Sequence, residues 1–163
     1  MSVRLAGALE TAAALHVPVC LMHILMHMQG VPATMQVAPA YDDVVAEVRG
    51  FLLTRGGACL NAGIPMDDLV VDPGFGFGFG KTLEHNLELL RRLGELRELG
   101  RPLVVGTSRK SFIGRVDGSE VEDRIGGSIA SSVLAAAAGA DVLRVHDVAE
   151  MAQALAVADA VLG

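Results

Sequence analysis

Short runs of β-branched and apolar residues alternate along this chain with longer segments in which apolar residues recur every three or four positions. The four runs span residues 17–22, 68–72, 102–106 and 141–147. Their hydrophobicity is continuous rather than alternating, which predicts strands buried on both faces, as in a parallel sheet with helices outside it. Each run leads into a loop rich in Gly, Pro, His or Ser. The pattern therefore predicts repeated βα units in an α/β protein.

Helical spacing predicts a helix before the first run and after each of the four. The predicted helices cover residues 6–15, 41–62, 83–97, 122–138 and 149–162. Gly63 stands where a glycine commonly ends a helix. In the third helix five leucines share one stripe, which we expect to face the core: Leu83, Leu87, Leu90, Leu93 and Leu96.

Composition narrows the possible functions. A length of 163 residues fits a single domain, and a net charge of −6 argues against non-specific nucleic-acid binding. The chain is 52% hydrophobic, yet it has no uninterrupted apolar run of about 18 residues, so we expect no membrane span.

Cys20 and Cys59 lack the spacing of a metal site or disulfide framework and are interpreted as reduced structural thiols. The first residues lack an export signal, so a cytoplasmic location is expected.

Polar residues cluster where the predicted strands end, which is the ligand-binding side of barrels and open parallel sheets. Asp72 ends the second run and opens an Asp-Pro-Gly step, followed by repeated Phe-Gly up to Lys81. Glycines allow a flat ligand to approach the backbone closely, and Phe75, Phe77 and Phe79 offer rings for stacking. The alternative is a glycine-rich turn whose Asp caps the next helix.

The third run leads into a loop that combines cations with hydroxyl groups. Gly106 is followed by Thr-Ser-Arg-Lys-Ser, in which Arg109, Lys110 and Ser111 stand directly after a buried strand. This combination suits a carboxylate, a carbonyl or a phosphate. The alternative is a solvated basic loop.

The fourth run ends in Arg-Val-His-Asp. Arg144 and His146 share one side of an extended segment, so both could point at one anion. The alternative is a helix N-cap by Asp147 beside a histidine whose hydrogen bonds are satisfied.

Two Met-His pairs follow the first predicted strand. A metal site built from the two histidines lacks a nearby carboxylate or cysteine on its C-terminal side. We therefore expect an adaptable methionine wall beside a planar ligand, with Met22 and Met26 as its candidates. No residue of the chain is assigned to a metal.

Taken together and in this order, residues 25–30, 72–81, 108–111 and 144–147 resemble the signature segments of dihydropteroate synthases. The resemblance runs from about residue 7 to the C-terminus. It implies the last four βα units of that family's TIM-type barrel, the C-terminal half of a pterin-binding (β/α)8 fold. These transferases condense 6-hydroxymethyl-7,8-dihydropterin diphosphate with 4-aminobenzoate, giving 7,8-dihydropteroate and diphosphate in folate biosynthesis, and they are sulfonamide targets.

The resemblance also implies roles for individual residues at the pterin. Asp72 would hydrogen-bond the pterin edge, and Lys110 would lie against the ring and influence its electronics. Met22 or Met26 would pack beside the pterin as one side of its pocket. Arg144 and His146 would hold the diphosphate leaving group.

The resemblance places further residues at the second substrate. Ser111 would receive the aminobenzoate carboxylate with Arg109 close by, and Gly106 belongs to the same substrate-binding set. A phenylalanine of the glycine-rich loop would cover the aminobenzoate ring: Phe77 when counted from the start of the loop, Phe79 when counted back from its end.

The chain departs from the family pattern in three ways. Leu-Met-His occurs twice, at residues 21–23 and 25–27, and the glycine-rich loop carries one extra Phe-Gly, which we expect to reshape the aminobenzoate pocket. The first half of the barrel is missing, and with it the Asn that helps to bind Mg²⁺ in the family. A half-barrel leaves open strand edges, which predicts a homodimer. The alternatives are a catalytically incomplete binding or assembly module and a methyltetrahydrofolate methyltransferase domain.

Overall fold

The computed structural model of the chain describes residues 7–23, 39–76 and 80–163. Each strand in these ranges is followed by a helix, so the predicted βα repetition is confirmed. The helices are α1 (Ala8–Leu15), α2 (Val44–Asn61), α3 (Leu83–Arg91), α4 (Ser111–Asp117), α5 (Ile125–Ala137) and α6 (Val148–Leu162). The strands are β1 (Val19–Met22), β2 (Leu69–Asp72), β3 (Val104–Val105) and β4 (Val142–Leu143).

The strands are parallel and follow one another across the sheet in chain order. β1 pairs with β2 in a register that places Met22 opposite Asp72, and β3 pairs with β4. A parallel bridge between Val71 and Leu103 joins the two pairs. Parallel pairing brings the carboxyl ends of all four strands to the same edge of the sheet. This is the arrangement of four consecutive βα units of a (β/α) barrel, which confirms the predicted fold class.

The core lies between the sheet and the helices that cover one of its faces. Leu21 and Val71 are opposite each other on β1 and β2, and both are buried. Helix α2, helix α3 and the 3-10 helix Leu93–Leu99 pack over them. Burial of these aliphatic side chains from water holds the helical layer on the sheet. The large apolar side chains that the helices bury fully are Val45, Val48, Leu52, Leu89, Leu93 and Leu96.

The buried leucine stripe differs from the predicted one. Leu93 and Leu96 are buried as expected, but Leu83, Leu87 and Leu90 are only half-buried. The buried set is instead Leu89, Leu93, Leu96 and Leu99. The reason is a change of helix type, because α3 ends at Arg91 and the chain continues as the 3-10 helix Leu93–Leu99. A 3-10 helix has three residues per turn, so leucines three positions apart share its buried side.

The outer strands are more exposed than the continuous hydrophobicity of their runs predicts. Cys20 in β1 is exposed, and 47% of Val142 in β4 is exposed. In the described part of the chain β1 pairs only with β2, and β4 only with β3. The expectation of burial on both faces is therefore wrong for these two strands, whereas the open edges of the half-barrel stay a prediction. Cys59 is buried as a structural thiol should be, and Cys20 is not.

Helix boundaries follow local signals in most places. Gly63 adopts a φ of 87° directly after α2, so the predicted stop is confirmed. Helix α4 is not predicted by the spacing, which indicates a polar loop there. It is a short helix, closed by Gly118 with a φ of 78°. No helix of the described ranges is both long and apolar enough to cross a bilayer.

Candidate functional site

Asp72 is the last residue of β2, and a tight turn holds its carboxylate. Only 5% of the residue is exposed, and its Oδ1 accepts a hydrogen bond of 2.7 Å from the backbone N–H of Gly74. Its backbone carbonyl accepts one of 2.9 Å from His23. Burial raises the pKa of Asp72, which the Gly74 N–H and the charge of Arg144 oppose. Helix α3 is capped by Thr82, so the alternative in which Asp72 caps the next helix is wrong.

Three cations lie close enough to Asp72 to act on its charge: Arg144, Lys110 and Lys81. The first two follow the ends of neighbouring strands. Lys110 precedes α4 and Arg144 follows β4, and the positive charge of each opposes the rise in the pKa of Asp72. Burial, and then the neighbouring Arg144, lowers the pKa of Lys110, while Asp72 acts in the opposite direction. One carboxylate and two cations from three strand ends therefore meet at one rim of the sheet, which we call the charged rim (Asp72, Lys110 and Arg144).

Gly106 leaves space for the side chain of Arg144. A Cβ at Gly106 would lie 3.3 Å from Nη2 of Arg144. The backbone N–H of Arg144 donates to the carbonyl of Val105 at 2.9 Å, which holds the segment after β4 beside the end of β3. Gly106 thus lies at the charged rim, and direct contact of Gly106 with a substrate stays a prediction.

Ser108 holds the ring of His146. Nδ1 of His146 lies 3.0 Å from Oγ of Ser108, and the backbone N–H of His146 donates to the same Oγ at 3.2 Å. Because the hydroxyl accepts from this N–H, its own proton is available for Nδ1. The loop that carries Lys110 therefore also fixes the orientation of His146.

Arg109 is engaged in an ion pair rather than left open to a ligand. Its Nε donates to Oδ2 of Asp147 at 3.0 Å, and its Nη2 donates to Oδ1. The hydrogen bond from Arg109 holds the pKa of Asp147 below its usual value. Asp147 stands at the N-cap position of α6, but its side chain makes no cap hydrogen bond, so that part of the alternative is wrong. The other part is confirmed, because His146 is hydrogen-bonded to Ser108. Contact of Arg109 with an aminobenzoate would require this ion pair to open.

The other predicted contact residues lie around the charged rim or outside the described part of the chain. Ser111 is the exposed first residue of α4, and Met22 is half-buried at the end of β1. Met26, Phe77 and Phe79 lie outside the described residues. In the first Leu-Met-His copy, Leu21 and Met22 end β1 and His23 directly follows it, and the second copy lies outside the described residues.

Phe75 is part of the core and cannot offer a ring face to a ligand. Only 1% of it is exposed. The next residue, Gly76, donates its N–H to Oδ1 of the buried Asn86 at 2.6 Å, which draws the start of the glycine-rich loop onto α3. The expected stacking role of Phe75 is therefore wrong, because the start of the loop packs inward against α3.

Lys81 is a buried cation that the sequence analysis did not identify. Its exposed fraction is 0%, its Nζ lies 2.9 Å from Nδ1 of His23, and it donates to the carbonyl of Gly74 at 2.9 Å. Burial lowers the pKa of Lys81 to about 7, and the negative charge of Asp72 acts in the opposite direction. A buried lysine is rare unless it has partners. No local pattern distinguishes Lys81 from a solvent-facing lysine that ends a glycine-rich loop.

The described residues do not fit a Mg²⁺ site. They contain no group of three or more His, Cys, Asp or Glu side chains that could hold a metal ion. Asp72 and Asp147 lie near the rim, but the first accepts from Gly74 and the second is paired with Arg109. The Mg²⁺ implied by the resemblance therefore finds no ligand set in the described part of this chain.

Comparison with known protein sequences points to one family. A family model described as pterin binding enzyme matches residues 4–146. The dihydropteroate synthase of Escherichia coli K12 is 50% identical over 156 residues, which are 96% of this chain and 53% of that protein. The dihydropteroate synthase of Haemophilus influenzae is 48% identical over 151 residues, 93% of this chain and 53% of that protein. The chain thus spans about half the length of the curated relatives it matches.

Solved structures agree with the sequence matches. The dihydropteroate synthase from Xanthomonas albilineans in complex with 7,8-dihydropteroate superposes with a TM-score of 0.87 at 48% identity, covering 98% of this chain and 56% of the other. The Yersinia pestis enzyme with a sulfonamide drug gives a TM-score of 0.88 at 44% identity, covering 95% and 54%. The parallel strands and outer helices described above are therefore similar to about half of each of those structures.

Proposed function

Because this chain belongs to the family of pterin binding enzymes, and matches about half of a dihydropteroate synthase, we propose that it supplies the pterin-binding side of such a transferase. The reaction condenses 6-hydroxymethyl-7,8-dihydropterin diphosphate with 4-aminobenzoate, giving 7,8-dihydropteroate and diphosphate. The observation that carries the proposal is the charged rim: the buried Asp72 ends β2, Lys110 directly precedes α4, and Arg144 follows β4.

Asp72 is the proposed anchor for the pterin ring. A buried carboxylate accepts hydrogen bonds from the N–H groups on the edge of a pterin, and each such bond to a charged group contributes about 1.5–3 kcal/mol. The Gly74 N–H already orients this carboxylate. Lys110, half-buried beside it, places a cation against the ring and so favours a planar, polar ligand over an aliphatic one.

Arg144 and His146 are the proposed partners of the diphosphate. The bond to the leaving group breaks first, so negative charge grows on the diphosphate while the pterin becomes cationic. A donor placed where charge develops lowers the barrier by about 3 kcal/mol. Arg144 is held at the rim by Val105, and Ser108 orients His146. No protein nucleophile takes part: the diphosphate leaves with the electron pair of the C–O bond, the arylamine nitrogen forms the C–N bond with the cation, and that nitrogen then loses one proton to water.

The aminobenzoate is proposed to lie between helix α4 and the glycine-rich loop. Ser111 begins α4 and is exposed, so its hydroxyl can donate to a carboxylate. Arg109 would join it only after leaving Asp147. Phe77 or Phe79 is proposed to cover the aromatic ring.

The proposal is tested by calorimetric titration of the purified chain with the pterin diphosphate, with and without 4-aminobenzoate. We expect saturable binding of the pterin diphosphate alone, and weaker binding, by about tenfold or more, in Arg144→Gln, because a charge-assisted contact to the anion is lost. The matched control is Arg91→Gln, which alters an exposed arginine paired with Glu88 on α3. The absence of binding heat with the parent chain, or equal loss in both variants, would contradict the proposal.

We also propose that two copies of the chain associate through their open strand edges. β1 and β4 each have a paired neighbour on one side only in the described residues, and unpaired edges favour association with another strand. Sedimentation equilibrium should return twice the 17.0 kDa of one chain. A mass of one chain at every concentration would exclude the homodimer.

A cytoplasmic location is a further proposal. Cys20 and Cys59 are both free thiols, and Cys20 is exposed. Exposed thiols persist in reducing compartments. Cell fractionation with an antibody to the chain tests it, and recovery in an extracellular or membrane fraction would count against it.

A further inference from the structure

Four residues connect the ends of β1 and β2 through a closed set of hydrogen bonds, which we call the Lys81 cluster (His23, Asp72, Gly74 and Lys81). Nζ of Lys81 reaches the carbonyl of Gly74 and Nδ1 of His23, each at 2.9 Å. Gly74 donates its N–H to Oδ1 of Asp72 at 2.7 Å, and His23 donates its backbone N–H to the carbonyl of Asp72 at 2.9 Å. Each member therefore bonds two others.

Gly74 is the point at which the cluster is most tightly packed. A Cβ at this position would lie 1.9 Å from the carbonyl oxygen of His23. The turn is thus pressed against the end of β1, with its N–H directed to Asp72 and its carbonyl to Lys81. Movement of the carbonyl would rotate the turn and change the direction of the Asp72 carboxylate.

A fully buried lysine is energetically unfavourable at a position whose only role is packing. Its exposed fraction is 0%, and burial of an ammonium group away from water is unfavourable unless bonds and nearby charges compensate. An apolar side chain would fill the same space without that cost. The specific bonds to Gly74 and His23 therefore distinguish Lys81 from a packing residue.

We propose that Lys81 is a positioning residue for Asp72: it holds the Gly74 turn against His23 and so fixes the carboxylate that grips the pterin. The identity of the ligand rests on the proposed function, whereas the positioning of Asp72 does not. Lys81 itself does not touch the substrate in this account.

The test uses Lys81→Met, which keeps length and removes the ammonium group, and measures amide hydrogen exchange by NMR. Exchange at Gly74 should accelerate by about tenfold or more relative to Val48 in the core of α2, because the turn loses the hydrogen bond from Lys81 to the carbonyl of Gly74. The matched control is Arg101→Met, which removes a bond of 2.7 Å to the carbonyl of Met66 before β2. It should leave the ratio between Gly74 and Val48 unchanged.

The affinity for the pterin diphosphate gives a second measurement. A lysine that only stabilises the fold would lower this affinity equally with and without the Asp72 carboxylate. Lys81→Met should weaken binding of the pterin diphosphate by about tenfold in the parent, yet by about twofold or less in an Asp72→Asn background, because the residue acts through that carboxylate. Should Lys81→Met fail to fold, Lys81→Gln retains a donor for Gly74 and is measured instead, with an intermediate loss expected.

The outcomes separate this inference from the proposed function. An unchanged exchange ratio at Gly74 overturns the positioning role, and so does an equal loss of affinity with and without Asp72. If the parent chain binds no pterin, the proposed function fails, and the exchange ratio at Gly74 still decides whether Lys81 positions Asp72.

Discussion

Asp72→Asn is expected to weaken binding of the pterin diphosphate by about tenfold to a hundredfold, the factor that corresponds to one hydrogen bond to a charged group. Asparagine keeps the shape of the side chain but removes the charge that Lys110 and Arg144 face. It also presents an NH₂ group where the carboxylate accepts from Gly74 and from the ligand. Calorimetric titration of the variant against the parent measures the loss.

The matched control for this change is Asp141→Asn. Oδ2 of Asp141 accepts a hydrogen bond of 2.7 Å from the N–H of Leu103, at the opposite end of the sheet from the charged rim. The chemical change is the same, and pterin affinity should stay within about twofold of the parent because distant sites act independently. An Asp72→Asn chain that binds as well as the parent would contradict the account, as would an equal loss in Asp141→Asn.

Gly74→Ala is expected to lower the free energy of unfolding by about 3 kcal/mol or more, because it combines a clash with an unfavourable backbone conformation. The added Cβ would lie 1.9 Å from the carbonyl oxygen of His23, and the φ of Gly74 is 72°. The neighbouring atom is backbone, which cannot move without shifting the end of β1. Urea unfolding followed by circular dichroism gives the change in midpoint.

Gly126→Ala serves as the matched control for that substitution. Gly126 lies in α5, and a Cβ there meets nothing within 4 Å. Alanine is favoured over glycine in helices by about 1 kcal/mol, so this variant should unfold at the same or a higher urea concentration. Parent-like stability of Gly74→Ala would mean that the turn does not press against β1 as described.

Sequence patterns predict the fold well where the signal is local. The continuous apolar runs identify all four described strands, and Gly63 ends α2 because its φ of 87° suits a residue without a Cβ. The leucine stripe fails because hydrophobic spacing does not reveal the change from α-helix to the 3-10 helix Leu93–Leu99. Val142 is exposed in β4, a strand that pairs only with β3 in the described residues. The residues of β4 alone do not reveal how many neighbours the strand has.

In the candidate site, too, the sequence predicts some features and not others. Asp72, Lys110 and Arg144 are predictable because parallel strands deliver their carboxyl ends to one edge. The partners of Lys81 and of Arg109 are not, since Lys81 finds His23 58 positions away and Arg109 finds Asp147 38 positions away. Both contacts form where different βα units pack together, so no sequence pattern within a single βα unit reveals them.

The central claim is that the strand ends form one pterin site, and NMR titration of the ¹⁵N-labelled chain with the pterin diphosphate tests it most directly. We expect saturable amide shifts concentrated at Gly74, Gly106, Lys110 and the segment from Arg144 to His146. Shifts confined to the opposite end of the sheet, around Met66 and Arg101, or no shifts at all, would contradict it.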